Sequence, residues 1–92
     1  MSNLPDTAKP RLAAKARLKW DDIRQKPLLL FPEGVLVLNS TAHEVVVLCD
    51  GQHTVGEIVK TLGEKFRSDT IDQDVKELLA KLMGKGFVTL AD

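Results

Sequence analysis

Two four-residue runs in this chain are apolar at every position, Leu28-Leu29-Leu30-Phe31 and Val35-Leu36-Val37-Leu38. A strand covered on one face alternates apolar with polar side chains, whereas a strand that is apolar throughout wants cover on both faces. Between the runs, Phe31-Pro32-Glu33-Gly34 puts proline at the second turn position, where its fixed φ suits a type I turn, and glycine last. Residues 28–38 therefore read as a hairpin folded about Pro32-Glu33-Gly34. The second strand ends its hairpin and can be a sheet edge. An apolar edge offers unpaired backbone donors and acceptors beside side-chain pockets, which is what strand capture requires. A second copy of the chain, or a terminal strand, would cover the same surface equally well.

What surrounds the hairpin limits the fold. Ninety-two residues close one hydrophobic core. Residues 1–10 hold Pro5, Pro10 and polar residues without a period, and are expected to form a mobile tail ahead of a single domain over 11–92. Leu12, Ala14, Ala16, Leu18 and Trp20 alternate with mostly charged positions, the period of a half-buried strand, with Trp20 as its core anchor. After Asn39 the period lengthens. Ser40 or Thr41 caps a first helix, with Thr41-x-x-Glu44 in the form of a capping box, and Asp50-Gly51 stops it. Thr54-x-x-Glu57 opens a second helix carrying Val55, Ile58, Val59, Leu62 and Phe66. A third helix follows Ser68-Asp69-Thr70, with Ile71, Val75, Leu78, Leu79, Leu82 and Met83 on one face, and residues 87–90 add an optional short strand. The class is α+β and winged-helix-like: a three-stranded antiparallel sheet at the N-terminal side, then three helices.

Composition removes several functions. No apolar run approaches the roughly 20 residues of a membrane span, and the first residues lack the basic and apolar regions of a signal peptide, so a cytoplasmic protein is expected. Cys49 is the one cysteine, too few for a disulfide or a metal-binding pair, and its apolar neighbours suit a buried thiol. His43 and His53 stand in no metal-spacing motif, and there is neither a phosphate loop nor a nucleophile elbow. No catalytic residue, metal or cofactor is expected. Seven basic residues against three acidic precede Pro27, but the remainder compensates to a net charge of zero, and the third helix starts with Asp69, Asp72, Asp74 and Glu77. Those carboxylates suit the helix dipole or a basic partner. They do not suit a DNA groove, so nucleic-acid binding by a winged helix is the weaker alternative, beside a purely structural homodimer.

The order and spacing of several ordinary caps and turns together resemble the PqqD family of pyrroloquinoline quinone (PQQ) biosynthesis. They are the Pro32-Glu33-Gly34 turn, Leu38-Asn39 with Thr41-Ala42, the Cys49-Asp50-Gly51 stop, and Thr54-Val55-x-Glu57-Ile58. The likeness runs over residues 10–90. It implies a peptide chaperone that binds the precursor peptide PqqA and presents it to PqqE, a radical S-adenosylmethionine enzyme that holds the iron-sulfur clusters and cross-links a glutamate to a tyrosine. In that family the peptide adds as a strand beside the third strand of the sheet, in a groove shared with the third helix. Carried onto this sequence, the resemblance selects Val35, Leu36, Val37 and Leu38 on the strand side and Val75, Leu78, Leu79 and Leu82 on the helix side. Asp72 and Asp74 are added for basic peptide residues. The working form is expected to be a monomer, with a homodimer through the same edge as the alternative, and no contact with nucleic acid or membrane.

Overall fold

The hairpin forms about its Pro-Glu turn, and a strand on each side of it decides the architecture. The computed structural model describes residues 4–91, in the order β1 (Lys9–Leu12), β2 (Arg17–Asp21), β3 (Lys26–Phe31), β4 (Gly34–Val37), α1 (Ser40–Val47), α2 (Val55–Phe66), α3 (Ile71–Gly84) and β5 (Val88–Ala91). Strands β2, β3 and β4 make an antiparallel sheet in that order, and β1 pairs with β5 in a separate two-stranded sheet. The α+β class, with a three-stranded antiparallel sheet ahead of three helices, is as expected. No helix among the described residues is long and apolar enough to cross a membrane.

The alternating stretch from Leu12 to Trp20 is not one strand. Ala16 N–H donates to the Ala13 carbonyl at 3.0 Å, a turn that separates β1 from β2. Alanine has little strand preference, so Ala13-Ala14-Lys15-Ala16 yields where the two sheets compete for the chain. Trp20 lies at the end of β2 opposite Pro27 and is 49% exposed, a wall residue instead of the expected core anchor.

The expected N-terminal tail also differs. Residues 1–3 lie outside the described residues, but from Pro5 onward the backbone is engaged. The Asp6 and Ala8 carbonyls accept from Gly56 and Val55 N–H at 2.9 and 2.8 Å, satisfying two donors that the start of α2 cannot pair internally. Pro10 is fully buried within β1, and Leu4 packs against the core. Periodicity does not register such a segment, because its partners lie about 80 residues away in β5.

Local chemistry explains the helices. The Thr54 capping box forms in both directions: Glu57 N–H donates to Thr54 Oγ1 at 3.1 Å, and Thr54 N–H to Glu57 Oε1 at 2.7 Å. At α1 the cap is Asn39, whose Oδ1 accepts from Ala42 N–H at 2.7 Å, and not Ser40 or Thr41. The helix starts directly after the hairpin, leaving Thr41 inside it and freeing Glu44 to pair with Lys65 of α2 at 2.9 Å. α1 ends at Val47 with Leu48 as its C-cap, short of the expected stop at Asp50-Gly51; Gly51, with φ of +79°, instead turns the chain after the helix, and a Cβ there would lie 3.3 Å from Arg11 Cδ. Val45, Val46, Cys49, Ile58, Leu62, Val75, Leu79 and Leu82 close over Leu29 of β3 to form the core.

Candidate peptide-binding site

Strand β4 pairs with β3 through Leu28↔Val37, Leu29↔Leu36, Leu30↔Val35 and Phe31↔Gly34. In an antiparallel ladder, pairs that exchange hydrogen bonds alternate with pairs that do not. Leu38 N–H donates to the Pro27 carbonyl at 2.9 Å, and two-residue steps from that pair reach Leu29↔Leu36 and Phe31↔Gly34. Those are the bonded pairs. The N–H and C=O groups of Val35 and Val37 consequently point away from β3, to the second edge of β4. No strand pairs there among the described residues, because β5 joins β1. The opposite edge of the sheet belongs to β2, where Arg17, Lys19 and Asp21 supply the charges that discourage strand addition. Of the two edges, only that of β4 is apolar along its length.

Side chains divide by the strand period. Leu18, Leu29 and Leu36 share the inner face, with Leu29 fully buried, whereas Val35 and Val37 point to the outer face and are 49% and 45% exposed. Beside the hairpin tip, Phe31, Glu33, Leu36, Lys85 and Phe87 surround a depression of about 320 Å³. Its floor is firm, since the Phe31 and Phe87 rings stack with centroids 4.3 Å apart and Lys15 Nζ lies 5.7 Å above Phe87. At the other end of β4 a hollow of about 760 Å³ opens between the sheet and the ends of α1 and α2, with Trp20, Pro27, Val37, His43, Lys65 and Phe66 among its walls. The free edge thus runs between two recesses.

The residues selected by sequence and resemblance separate here. Val35, Leu36 and Val37 lie on the edge strand. Leu38 lies beyond it, 4% exposed in the core, with its N–H bonded to Pro27. Val75, Leu79 and Leu82 are fully buried and are core residues, not groove walls, because they form the inward stripe of α3; Leu78, off that stripe, is half-buried. Asp72 and Asp74 are exposed in the first turn of α3, a helix of 14 residues or about 20 Å, so they stand at the opposite end from Lys85. Asp72 pairs with Lys76 at 3.0 Å and Asp74 accepts from Thr70 Oγ1 at 3.0 Å. The structure does not bring them to the depression. Sequence reasoning missed Phe31, Phe87, Lys85 and Trp20 as lining residues. The two phenylalanines were legible only as members of apolar runs, and Trp20 as a misassigned core residue.

Burial pushes the Cys49 thiol up to about 12, with the neighbouring Asp50 charge adding to the effect, so it is no thiolate at neutral pH. Asp50 is held down to about 2, chiefly by the Gln52 amide and by His53, whose Nδ1 lies 2.9 Å from Oδ2. That cluster fastens the turn after α1. Among the described residues no group of three His, Cys, Asp or Glu side chains could hold a metal ion.

The family model for coenzyme PQQ synthesis protein D (PqqD) matches residues 28–88, a span that runs from β3 to the start of β5. The chain belongs to the PqqD family. It is 38% identical over 88 residues to a PqqA binding protein of Methylococcus capsulatus, covering 96% of this chain and 94% of that one. Identity to a PqqA binding protein of Rhodopseudomonas palustris is 41% over 91 residues, covering 97% and 89%. The solution NMR structure of the PqqD truncation of Methylobacterium extorquens PqqCD superposes with a TM-score of 0.78 at 33% identity, covering 96% of each chain. That truncation is described as a functional, stand-alone recognition element for ribosomally synthesized and post-translationally modified peptides. The superposition takes in 96% of the chain and so extends beyond the span matched by the family model.

Proposed function

We propose that this chain is the precursor-recognition protein of PQQ biosynthesis, that it binds PqqA along the free edge of β4, and that it presents the peptide to PqqE. The observation that carries this reading is the diversion of β5 to β1, which leaves an apolar edge unpaired between two recesses. PqqA pairs as a fourth strand with the backbone groups of Val35 and Val37, which sets its direction and register. Side chains on the inner side of that strand fall beside Leu36 into the depression of Phe31, Phe87 and Lys85, and toward Trp20 and Phe66 at the other end. Main-chain pairing supplies affinity that is nearly independent of sequence, and the recesses supply selectivity. This chain performs no bond chemistry. Its contribution is to hold a flexible precursor beside the enzyme and so raise its effective concentration there. It works as a monomer, since a second copy on the edge would occupy the peptide's place.

Titration of PqqA into the isotope-labelled chain, followed by amide NMR, tests the reading. Saturable shifts at Val35, Val37, Leu36 and Phe87 are expected, with Asp72 and Asp74 unaffected. An unshifted β4 at saturating peptide overturns the edge assignment. For delivery, omission of this chain from a mixture of PqqA and PqqE should slow cross-linking of the peptide. Unchanged turnover overturns that step.

A further inference from the structure

The solvent face of the three-stranded sheet is apolar where a solvated face would be polar. Reading across the strands, Arg17, Leu30 and Val35 form one outward row and Lys19, Leu28 and Val37 the next, with Asp21 opposite Lys26 at the end. The helices cover the other face, where Leu29 is fully buried in the core. Outside, Val35 and Val37 stay about half exposed, Leu28 and Leu30 are only half-buried, and Arg17, Lys19 and Lys26 are exposed. Neither Arg17 nor Lys19 has an ion-pair partner among the described residues. Asp21 is occupied locally: its Oδ1 accepts from the Ile23 and Arg24 amides at 3.0 and 3.3 Å, and its Oδ2 lies 3.8 Å from the Arg24 guanidinium. What remains is four aliphatic side chains bordered by cations in a chain whose net charge is zero.

We propose that this outer face of β2, β3 and β4 is a docking surface for the protein that receives the peptide, and that the partner meets it with an apolar centre ringed by carboxylates. The inference rests on the delivery reading above and adds where the receiving enzyme binds. Charge selects the occupant. A second copy placed face to face brings the same Arg17, Lys19 and Lys26 and, on this face, no carboxylate beyond the locally engaged Asp21, so the cations of both copies gain no counter-charge. Nucleic acid would engage the cations and leave four aliphatic side chains uncovered. An acidic protein surface with an apolar centre answers both features. Geometry permits simultaneous binding, because the peptide joins β4 in the plane of the sheet whereas the partner approaches perpendicular to it. A fourth strand also continues the outer face, so every second side chain of the bound peptide is presented to the partner.

The experiment measures PqqE and PqqA binding to the full chain by calorimetry, for the natural sequence and for R17E/K19E. Both substitutions lie on β2, two strands from the peptide edge, at exposed positions. The charge reversal is expected to weaken PqqE at least about tenfold and leave PqqA affinity unchanged, whereas R17K/K19R restores PqqE binding. Undiminished PqqE binding by R17E/K19E overturns the inference alone. Failure of the natural chain to bind PqqE while it still binds PqqA overturns the delivery reading, and the inference with it. Binding of anionic phosphatidylglycerol vesicles or duplex DNA as tightly as PqqE, abolished by the same reversal, overturns the protein partner in favour of that surface.

Discussion

Strands β1 and β4 are each four residues long, yet one is saturated and the other is not. β1 pairs with β5 on one side, and on the other Leu12 N–H donates to the Cys49 carbonyl and Gly51 N–H to the Pro10 carbonyl, at 3.0 and 2.9 Å. It also carries the fully buried Pro10. Among the described residues β4 pairs with β3 alone, and no strand takes up the outward backbone groups of Val35 and Val37. The saturated strand ties distant parts of the chain together and the half-saturated one remains available. Strand preference does not separate them, since KPRL is the poorer strand sequence and GVLV the better one. Availability depends on which partner β5 takes.

Five substitutions would break or sharpen that contrast. The largest effect is expected at Leu29, which anchors the inner face of the open sheet: Leu29→Ala should cost about 2–5 kcal/mol by denaturant unfolding. A cost under about 1 kcal/mol would mean that the open sheet is not part of the core. On the saturated side, Gly51→Ala forces an alanine into positive φ with its Cβ 3.3 Å from Arg11 Cδ. A loss of about 1–2 kcal/mol is expected, and chemical shifts should move in β1 and β5 more than in β4. On the open edge, Val35→Pro removes an outward amide that no protein strand uses, a substitution that edges tolerate. It should weaken PqqA by about 0.5–1.5 kcal/mol with a smaller change in stability. Leu36→Pro, which removes an amide bonded to β3, should destabilise the fold itself. Equal behaviour of the two proline variants would contradict the hydrogen-bond phase of the hairpin.

The smallest effect concerns acid. Asp50, whose backbone makes an antiparallel β-bridge with Arg11 of β1, has its carboxyl held down to about 2 from an ordinary 3.8 by the Gln52 amide and His53. As pH falls, the unfolded chain takes up this proton first, so the stabilisation is full above about pH 4 and disappears as pH drops through about 2. The thermal midpoint of Asp50→Asn should therefore lie below that of the natural chain at pH 7 and converge on it near pH 2. A gap that persists at pH 2 would assign the effect to something other than the carboxylate charge.

Features settled within a few residues were legible from the chain. The Pro32-Glu33 turn, the Thr54 capping box and the presence of an apolar stripe on α3 each depend on neighbours no more than a turn or two away. The Thr41 capping box failed for a reason of the same scale, because Asn39 reaches the helix first. Trp20 and the fusion of β1 with β2 were misread because alternation describes one face of a strand without saying which strand lies opposite. Of the candidate site, Val35, Leu36 and Val37 were legible from the apolar run. The burial of Leu38, Val75, Leu79 and Leu82 was not, since an apolar residue on a helix suits a core and a groove wall alike.

The amino-acid sequence by itself determined that this chain carries an apolar hairpin and three helices, because caps, turns and side-chain periods are local properties. Only the tertiary structure decided that β5 would close on β1, that the outward amides belong to Val35 and Val37, and that Phe31 and Phe87 would meet beside Leu36. Those outcomes depend on segments far apart in the chain competing for the same backbone groups. Pairing across such distances is set by the packing of the whole core and not by the strands' own residues.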